Sequence, residues 1–159
     1  QAMDLVGRKM GQAGGAHFQQ FMGDVGSFVE AHREHPVLGE AVKTLAGAQE
    51  GLMSSAMALF GWSQDAGRFP LIPLSANRFL NMMSEVAVGW LLLDAAVIAE
   101  KAAANVSADH PDKAFYEGKK FSALWYARNV LPNVEYAARL IATEDTSPMD
   151  ITDAAFGGV

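Results

Sequence analysis

Apolar residues recur at intervals of three and four along most of this chain, and no segment alternates as a half-buried strand does. The pattern is most regular over residues 37–64, where Gln49 is the one polar interruption of a heptad seam. Gly47 and Gly51, four residues apart, predict a close backbone approach there. The seam consists of Leu38, Val42, Leu45, Leu52, Ala56 and Leu59. This segment is therefore predicted to be a helix with one buried face.

Three further segments have helical spacing and bring the predicted number of long helices to four. Residues 16–33 form the first, and residues 113–142 form the last. Residues 75–104 are apolar around most of the helical circumference, which predicts a helix covered on more than one side.

Prolines mark one predicted boundary and one predicted kink. Pro70 and Pro73 precede the third helix, and because proline interrupts regular helices, Ser75 is the predicted N-cap. Pro132 lies inside the last helix and leaves the carbonyl of Arg128 without its helical partner, so a kink is expected there.

The predicted fold class is all-α. Four long helices joined by short connections pack economically as an antiparallel up-down four-helix bundle, here with a short N-terminal helix remnant and an extended C-terminal tail. The predicted divisions are residues 1–14 (helix remnant and hinge), 15–145 (bundle) and 146–159 (tail). Ile151 and Phe156 are candidate anchors for the tail.

Composition argues against several partners. The chain has 18 acidic and 12 basic residues, and its scattered basic residues do not favour nucleic acid. It has no cysteine, which excludes disulfides and thiolate metal sites. The longest apolar run, residues 86–99, is shorter than the roughly twenty residues of a membrane span. No secretion signal opens the sequence, so a cytoplasmic protein without membrane contact is expected.

Motifs for metal or nucleotide chemistry are absent from the sequence. No glutamate has a histidine three residues later, as a di-iron bundle requires. His32 and His35 lie close together but are interpreted as a solvated helix end, so no metal ligand is predicted. The glycines of residues 7–15 follow no strand and lack the dinucleotide spacing, which favours a hinge.

Two other features are interpreted as structural rather than as sites. Asp94, in the most apolar helix, is predicted to be a core carboxylate satisfied by an arginine or a hydroxyl. The aromatic residues Phe121, Trp125 and Tyr126 are predicted to lie in the core or in an interface, and exposure of some of them would indicate a partner surface.

Two segments resemble the longer members of the acyl-CoA dehydrogenase family, which have an additional C-terminal domain. In such proteins the catalytic segment is similar to Y-E-G-T-x-x-I-Q, and A-x-D-L-x-G-R-K often follows it. The opening QAMDLVGRK matches this continuation, with Gln1 as the last residue of the catalytic motif. Residues 115–132, FYEGKKFSALWYARNVLP, resemble the last helix of the additional domain, F-Y-x-G-K followed by N-V-L-P. The tail from Asp153 to Phe156 is similar too.

The resemblance implies a parent protein that uses FAD to introduce a double bond between the α and β carbons of an acyl-CoA. A glutamate would remove the α-proton, and it would lie upstream of Gln1, outside this chain. Residues 1–14 would then end the preceding catalytic helical domain. No catalytic, metal or firm cofactor-binding residue is expected here, and the chain alone is expected to be inactive and free of FAD.

Glu117 lies in a Tyr-Glu-Gly triplet similar to the one that carries the catalytic base. It is followed by Gly118-Lys119-Lys120, not by threonine and Ile-Gln, and it belongs to the motif of the additional domain. It is therefore interpreted as a decoy, a first-turn carboxylate stabilised by the helix dipole.

The resemblance implies a structural role within a homo-oligomeric dehydrogenase, with acyl-CoA bound only by the parent. The domain would cap the catalytic helical domain, extend a subunit interface or close over the acyl chain, and residues 16–33 and 113–142 are the candidate contacts. The alternative is a free-standing helical protein-protein interaction module that starts at Met3. A bundle lying on membranes is a third hypothesis, disfavoured by the acidic charge.

Overall fold

The computed structural model describes residues 1–157, apart from the side chain of Phe156, and in that range it contains helices and no strand. The α-helices are α1 (Ala2–Asp4), α2 (Ala16–His32), α3 (Gly39–Ser63), α4 (Leu71–Ala104), α5 (Lys113–Asn129), α6 (Pro132–Ile141) and α7 (Ser147–Asp150). A π-helical turn at Leu5–Lys9 continues α1, and 3-10 turns lie at Gln12–Gly15 and Asp153–Phe156. The predicted all-α class is confirmed.

The predicted last helix is two helices rather than one kinked helix. α5 ends at Asn129, and Pro132 takes the first position of α6. Proline suits this position because its fixed φ is helical and the missing N–H would have no intrahelical partner. Leu131 at the break is fully buried, so the junction belongs to the core.

The prediction that α4 begins at Ser75 is wrong. α4 begins at Leu71, which places Pro73 in its first turn. The first N–H groups of a helix have no carbonyl partner within the helix, so a proline there removes no hydrogen bond. Ser75 is consequently a buried helical residue and not an N-cap.

α4 is the central helix and contacts α1, α2, α3, α5 and α6. By length and composition it could also cross a membrane, contrary to the expectation from the shorter apolar run. Core helices of soluble proteins pass the same test, and thirteen residues of α4 are buried by its neighbours.

The heptad seam of α3 is buried, as predicted, and the two glycines bring α6 close to it. A Cβ atom at Gly47 would lie 2.6 Å from Oε1 of Glu135, and one at Gly51 would lie 3.4 Å from Cβ of Ala138. Gln49, the polar interruption, donates from Nε2 to the carbonyl of Met22 at 2.8 Å and so joins α3 to α2.

The N-terminal segment packs on α4. Ala2 is buried, and Leu5, Val6 and Met10 lie partly buried against the core. Ala13, Gly14 and Gly15, which follow, have positive φ angles. The two glycines adopt this conformation at little cost.

The tail is partly helical, which corrects the prediction that it is extended. α7 and the 3-10 turn at Asp153–Phe156 occupy most of it. Ile151 is 46% exposed and therefore does not anchor the tail. The side chain of Phe156, the other predicted anchor, lies outside the described residues.

Candidate interaction surface

The histidines of the α2–α3 connection help to organise the backbone. The imidazole Nδ1 of His35 accepts from the backbone N–H of Val37 and of Leu38, at 3.3 and 3.2 Å. His32 packs against the ring of Phe28, with 4.7 Å between centroids. Within residues 1–157, no cluster of three or more histidine and carboxylate side chains has the geometry to hold a metal ion.

Glu117 lies in the second turn of α5, which corrects its predicted first-turn position. Its carboxylate pairs with Lys120, and Lys120 also reaches Oε1 of Glu100 on α4 at 3.4 Å. The hydrogen bond to Glu117 is the main cause that raises the pKa of Lys120. Glu117 thus takes part in an ion-pair network that links α5 to α4.

Asp94 does not have the partner that was predicted for it. In the part of the chain that the structure describes, it forms no ion pair with an arginine and no hydrogen bond with a hydroxyl. The residue is half-buried rather than fully buried, so water can solvate its carboxylate and a protein partner is not required.

An apolar groove of about 220 Å³ lies between the outer sides of α4 and α5. Small side chains on α4 leave the space, the Phe115 ring borders it and Lys119 stands at its rim, 5.1 Å from the centroid of that ring. The lining residues are Ala95, Ile98, Ala99, Ala102, Phe115, Tyr116 and Lys119.

Large apolar side chains are exposed on the two helices that form this groove, and two of them, Ile98 and Phe115, also line it. Each of the five is about three-fifths exposed, from Leu91 at 59% to Phe121 at 64%. They are Leu91 and Ile98 on α4 and Phe115, Phe121 and Trp125 on α5, which together we name the α4–α5 face. Exposed apolar clusters of this size mark interaction sites in many proteins.

A second exposed apolar row lies on α3. Met53, Met57 and Phe60 follow the i, i+4, i+7 spacing, and Phe60 is 65% exposed. We name these three residues the α3 stripe. Their spacing is visible in the sequence beside the heptad seam, although the sequence interpretation overlooked it.

Only part of the predicted contact surface is exposed. Among the predicted aromatic residues, Phe121 and Trp125 are exposed and Tyr126 is half-buried. By contrast, α2 exposes no large apolar side chain, because Met22, Val25, Phe28 and Val29 are buried in the core. Within the two predicted contact segments, the exposed large apolar side chains therefore lie in residues 113–142 and not in residues 16–33.

Comparisons with known proteins agree along most of the chain. The family described as acetyl-CoA dehydrogenase C-terminal like matches residues 21–152. A broad-specificity linear acyl-CoA dehydrogenase of Mycobacterium tuberculosis is 31% identical over 98% of this chain and 26% of its own length. Two butyryl-CoA dehydrogenases of Syntrophomonas wolfei are 29% and 27% identical, again over 98% of this chain and 25% of each. The chain spans about a quarter of the length of these relatives.

Proposed function

Because the chain belongs to the acetyl-CoA dehydrogenase C-terminal-like family, we propose that it is the C-terminal helical domain of an FAD-dependent acyl-CoA dehydrogenase. The family match over residues 21–152 is the observation that carries the proposal. The whole protein would oxidise an acyl-CoA between its α and β carbons, with a glutamate upstream of Gln1 as the base.

The α4–α5 groove does not have the size or the polar groups of an FAD pocket. Pockets for cofactors usually enclose roughly 300 to 1,000 Å³ with several convergent polar groups. The α4–α5 groove holds about 220 Å³, and Lys119 is its one charged lining residue. We therefore assign flavin binding and its chemistry to the rest of the protein.

The domain's own role in this proposal is structural. An apolar surface the size of the α4–α5 face is costly to leave in water, so its burial against another part of the enzyme would stabilise the assembly. The same role accommodates a cytoplasmic homo-oligomer, in which a domain of this kind extends the contacts within or between subunits.

The experiment compares the full-length protein of the source gene with the 159-residue chain. Flavin absorbance and the acyl-CoA-dependent reduction of an artificial electron acceptor are measured for both. We expect the full-length protein to be yellow and active and the chain to be neither. A colourless, inactive full-length protein, or a yellow and active chain, would contradict the proposal.

The exposure of Phe121 and Trp125 favours a second candidate, the free-standing interaction module that self-associates through this surface. The two candidates differ in the size of the natural polypeptide. A protein of about 17 kDa that begins at Met3 in the source cell would favour the module. A polypeptide about four times as long would favour the dehydrogenase domain.

A further inference from the structure

We propose that the α4–α5 face is the docking surface for the polypeptide that precedes Gln1 in the same protein, and that the docked surface is apolar with carboxylates at its rim. The inference rests on the proposed function, because it requires a dehydrogenase portion upstream.

The position of the N-terminus brings the preceding polypeptide to α4. Ala2–Asp4 packs against α4, and Ala2 is only 6% exposed. About three-quarters of the length of the relatives lies outside the matched region, so a longer parent has a large body to place. Its polypeptide joins this domain at the helix that carries Leu91 and Ile98.

The α4–α5 face is large enough to be an interaction surface. Five large side chains, each about 60% exposed, present roughly 500 Å² of apolar surface. That area is near the upper end of what monomeric proteins leave in water. The groove beside Ile98 and Phe115 is concave, as expected for a pocket that receives an anchoring side chain from a partner.

The positive charge of α5 indicates which charged groups the docked surface carries. The helix carries Lys113, Lys119, Lys120 and Arg128 but only one acidic residue, Glu117, although the whole chain has a net charge of -6. Lys120 is neutralised by Glu117 and Glu100, whereas Lys119 forms no ion pair within residues 1–157. A carboxylate on the docked surface would complement Lys119 at the rim of the groove.

The α3 stripe provides a matched control. Phe60 is 65% exposed and Phe115 is 60% exposed, so side chains at the two positions are similarly accessible to a partner. Phe60 lies on α3, however, and the N-terminal helix packs on α4. We therefore expect the preceding polypeptide to contact position 115 and not position 60.

The test is photo-crosslinking in the full-length protein, with p-benzoylphenylalanine in place of Phe115 or, as the control, of Phe60. We expect position 115 to form crosslinks within one polypeptide to residues that precede Gln1, identified by peptide mass spectrometry, and position 60 to form none of these. Crosslinks from position 115 only between two polypeptides would assign the face to a second copy and overturn the proposal. So would the absence of crosslinks at position 115.

A charge-reversal variant tests separately whether the docked surface carries carboxylates at its rim. Lys119→Glu should lower the intramolecular crosslinking yield from position 115 by about threefold or more, because the rim would then repel carboxylates. Lys43→Glu, which makes the same charge change on α3, should leave the yield unchanged. Equal yields in the two variants would contradict the acidic rim.

Flavin content and acyl-CoA oxidation are measured on the same preparations. A yellow, active protein without intramolecular crosslinks at position 115 would refute the docking face and leave the proposed function intact. A colourless, inactive full-length protein would refute the proposed function itself.

Discussion

Trp62 at the end of α3 donates its indole N–H to Oε1 of Glu144, beyond the end of α6, at 3.2 Å. The same oxygen lies 3.5 Å from Nη1 of Arg68 in the α3–α4 connection. Glu144 adopts a positive φ of 50°, a conformation that is costly for a residue other than glycine. The side chain of Glu144 thus joins three segments at this end of the fold: the end of α3, the α3–α4 connection and the residues after α6.

Glu144→Ala should destabilise the chain by about 1 to 3 kcal/mol, because the N–H of the buried Trp62 loses its acceptor. Urea unfolding followed by circular dichroism measures the change. Glu144→Gly is the matched control: it removes the same acceptor but relieves the positive φ, so it should cost less than alanine. Wild-type stability in the alanine variant would show that the hydrogen bond contributes nothing.

Gly89→Ala should also destabilise the fold, by about 1 to 3 kcal/mol, because it overpacks the core. A Cβ atom at Gly89 would lie 2.7 Å from Cδ2 of the fully buried Leu131. Gly118→Ala on α5 is the control, since a Cβ atom there would have no neighbouring atom within 4 Å and alanine favours the helix by about 0.5 to 1 kcal/mol. In thermal unfolding, Gly89→Ala should lower the melting temperature and Gly118→Ala should raise it. A higher melting temperature for Gly89→Ala would contradict the close packing of α4 on the α5–α6 junction.

Glu85→Gln should stabilise the chain at neutral pH. Burial raises the pKa of Glu85, and a hydrogen bond with Asn133 only partly offsets this effect. A raised pKa means that the folded state favours the neutral carboxyl, so ionisation destabilises the fold as the pH rises through the folded-state pKa. The advantage of glutamine should accordingly shrink as the pH falls toward the unfolded-state value.

The measurement for Glu85 is urea unfolding at a series of pH values, with Glu50→Gln as a control that removes one exposed carboxylate from α3. Only the Glu85 variant should show the pH-dependent difference from the wild-type chain. If the difference in unfolding free energy between the Glu85 variant and the wild-type chain is the same at every pH, burial of the Glu85 carboxylate is not its cause.

Glu117→Gln in the full-length enzyme should leave acyl-CoA oxidation within about twofold of wild type. Its carboxylate pairs with Lys120, and it does not line the α4–α5 groove. Loss of a general acid or base lowers the rate by about 10² to 10⁴-fold. A decrease of that size in kcat, in a variant that retains its flavin, would show that Glu117 is catalytic and not a decoy.

Helical spacing predicted most of the fold because one buried stripe per helix is a local property of the sequence. The seam from Leu38 to Leu59 is buried as expected. The predictions that were wrong concern where a helix begins or ends. Pro73 lies in the first turn of α4, and Pro132 begins a new helix. In both cases the proline occupies a position whose N–H needs no partner.

The exposed surface was harder to predict, because the sequence does not state how many neighbours a helix has. Residues 75–104 are apolar around most of the helical circumference, yet Leu91 and Ile98 have no neighbour within the described chain that covers them. The hydrogen-bond partner of Gln49 could not be predicted from the sequence either, since it is a backbone carbonyl 27 positions away. Such long-range pairings depend on the packing of whole helices.

The assignment to an acyl-CoA dehydrogenase is tested most directly by the sequence of the source gene immediately upstream of the codon for Gln1. We expect Tyr-Glu-Gly-Thr, two further residues and then isoleucine, which would place the catalytic base just before this domain. A start codon or an unrelated sequence at that position would contradict the assignment to an acyl-CoA dehydrogenase.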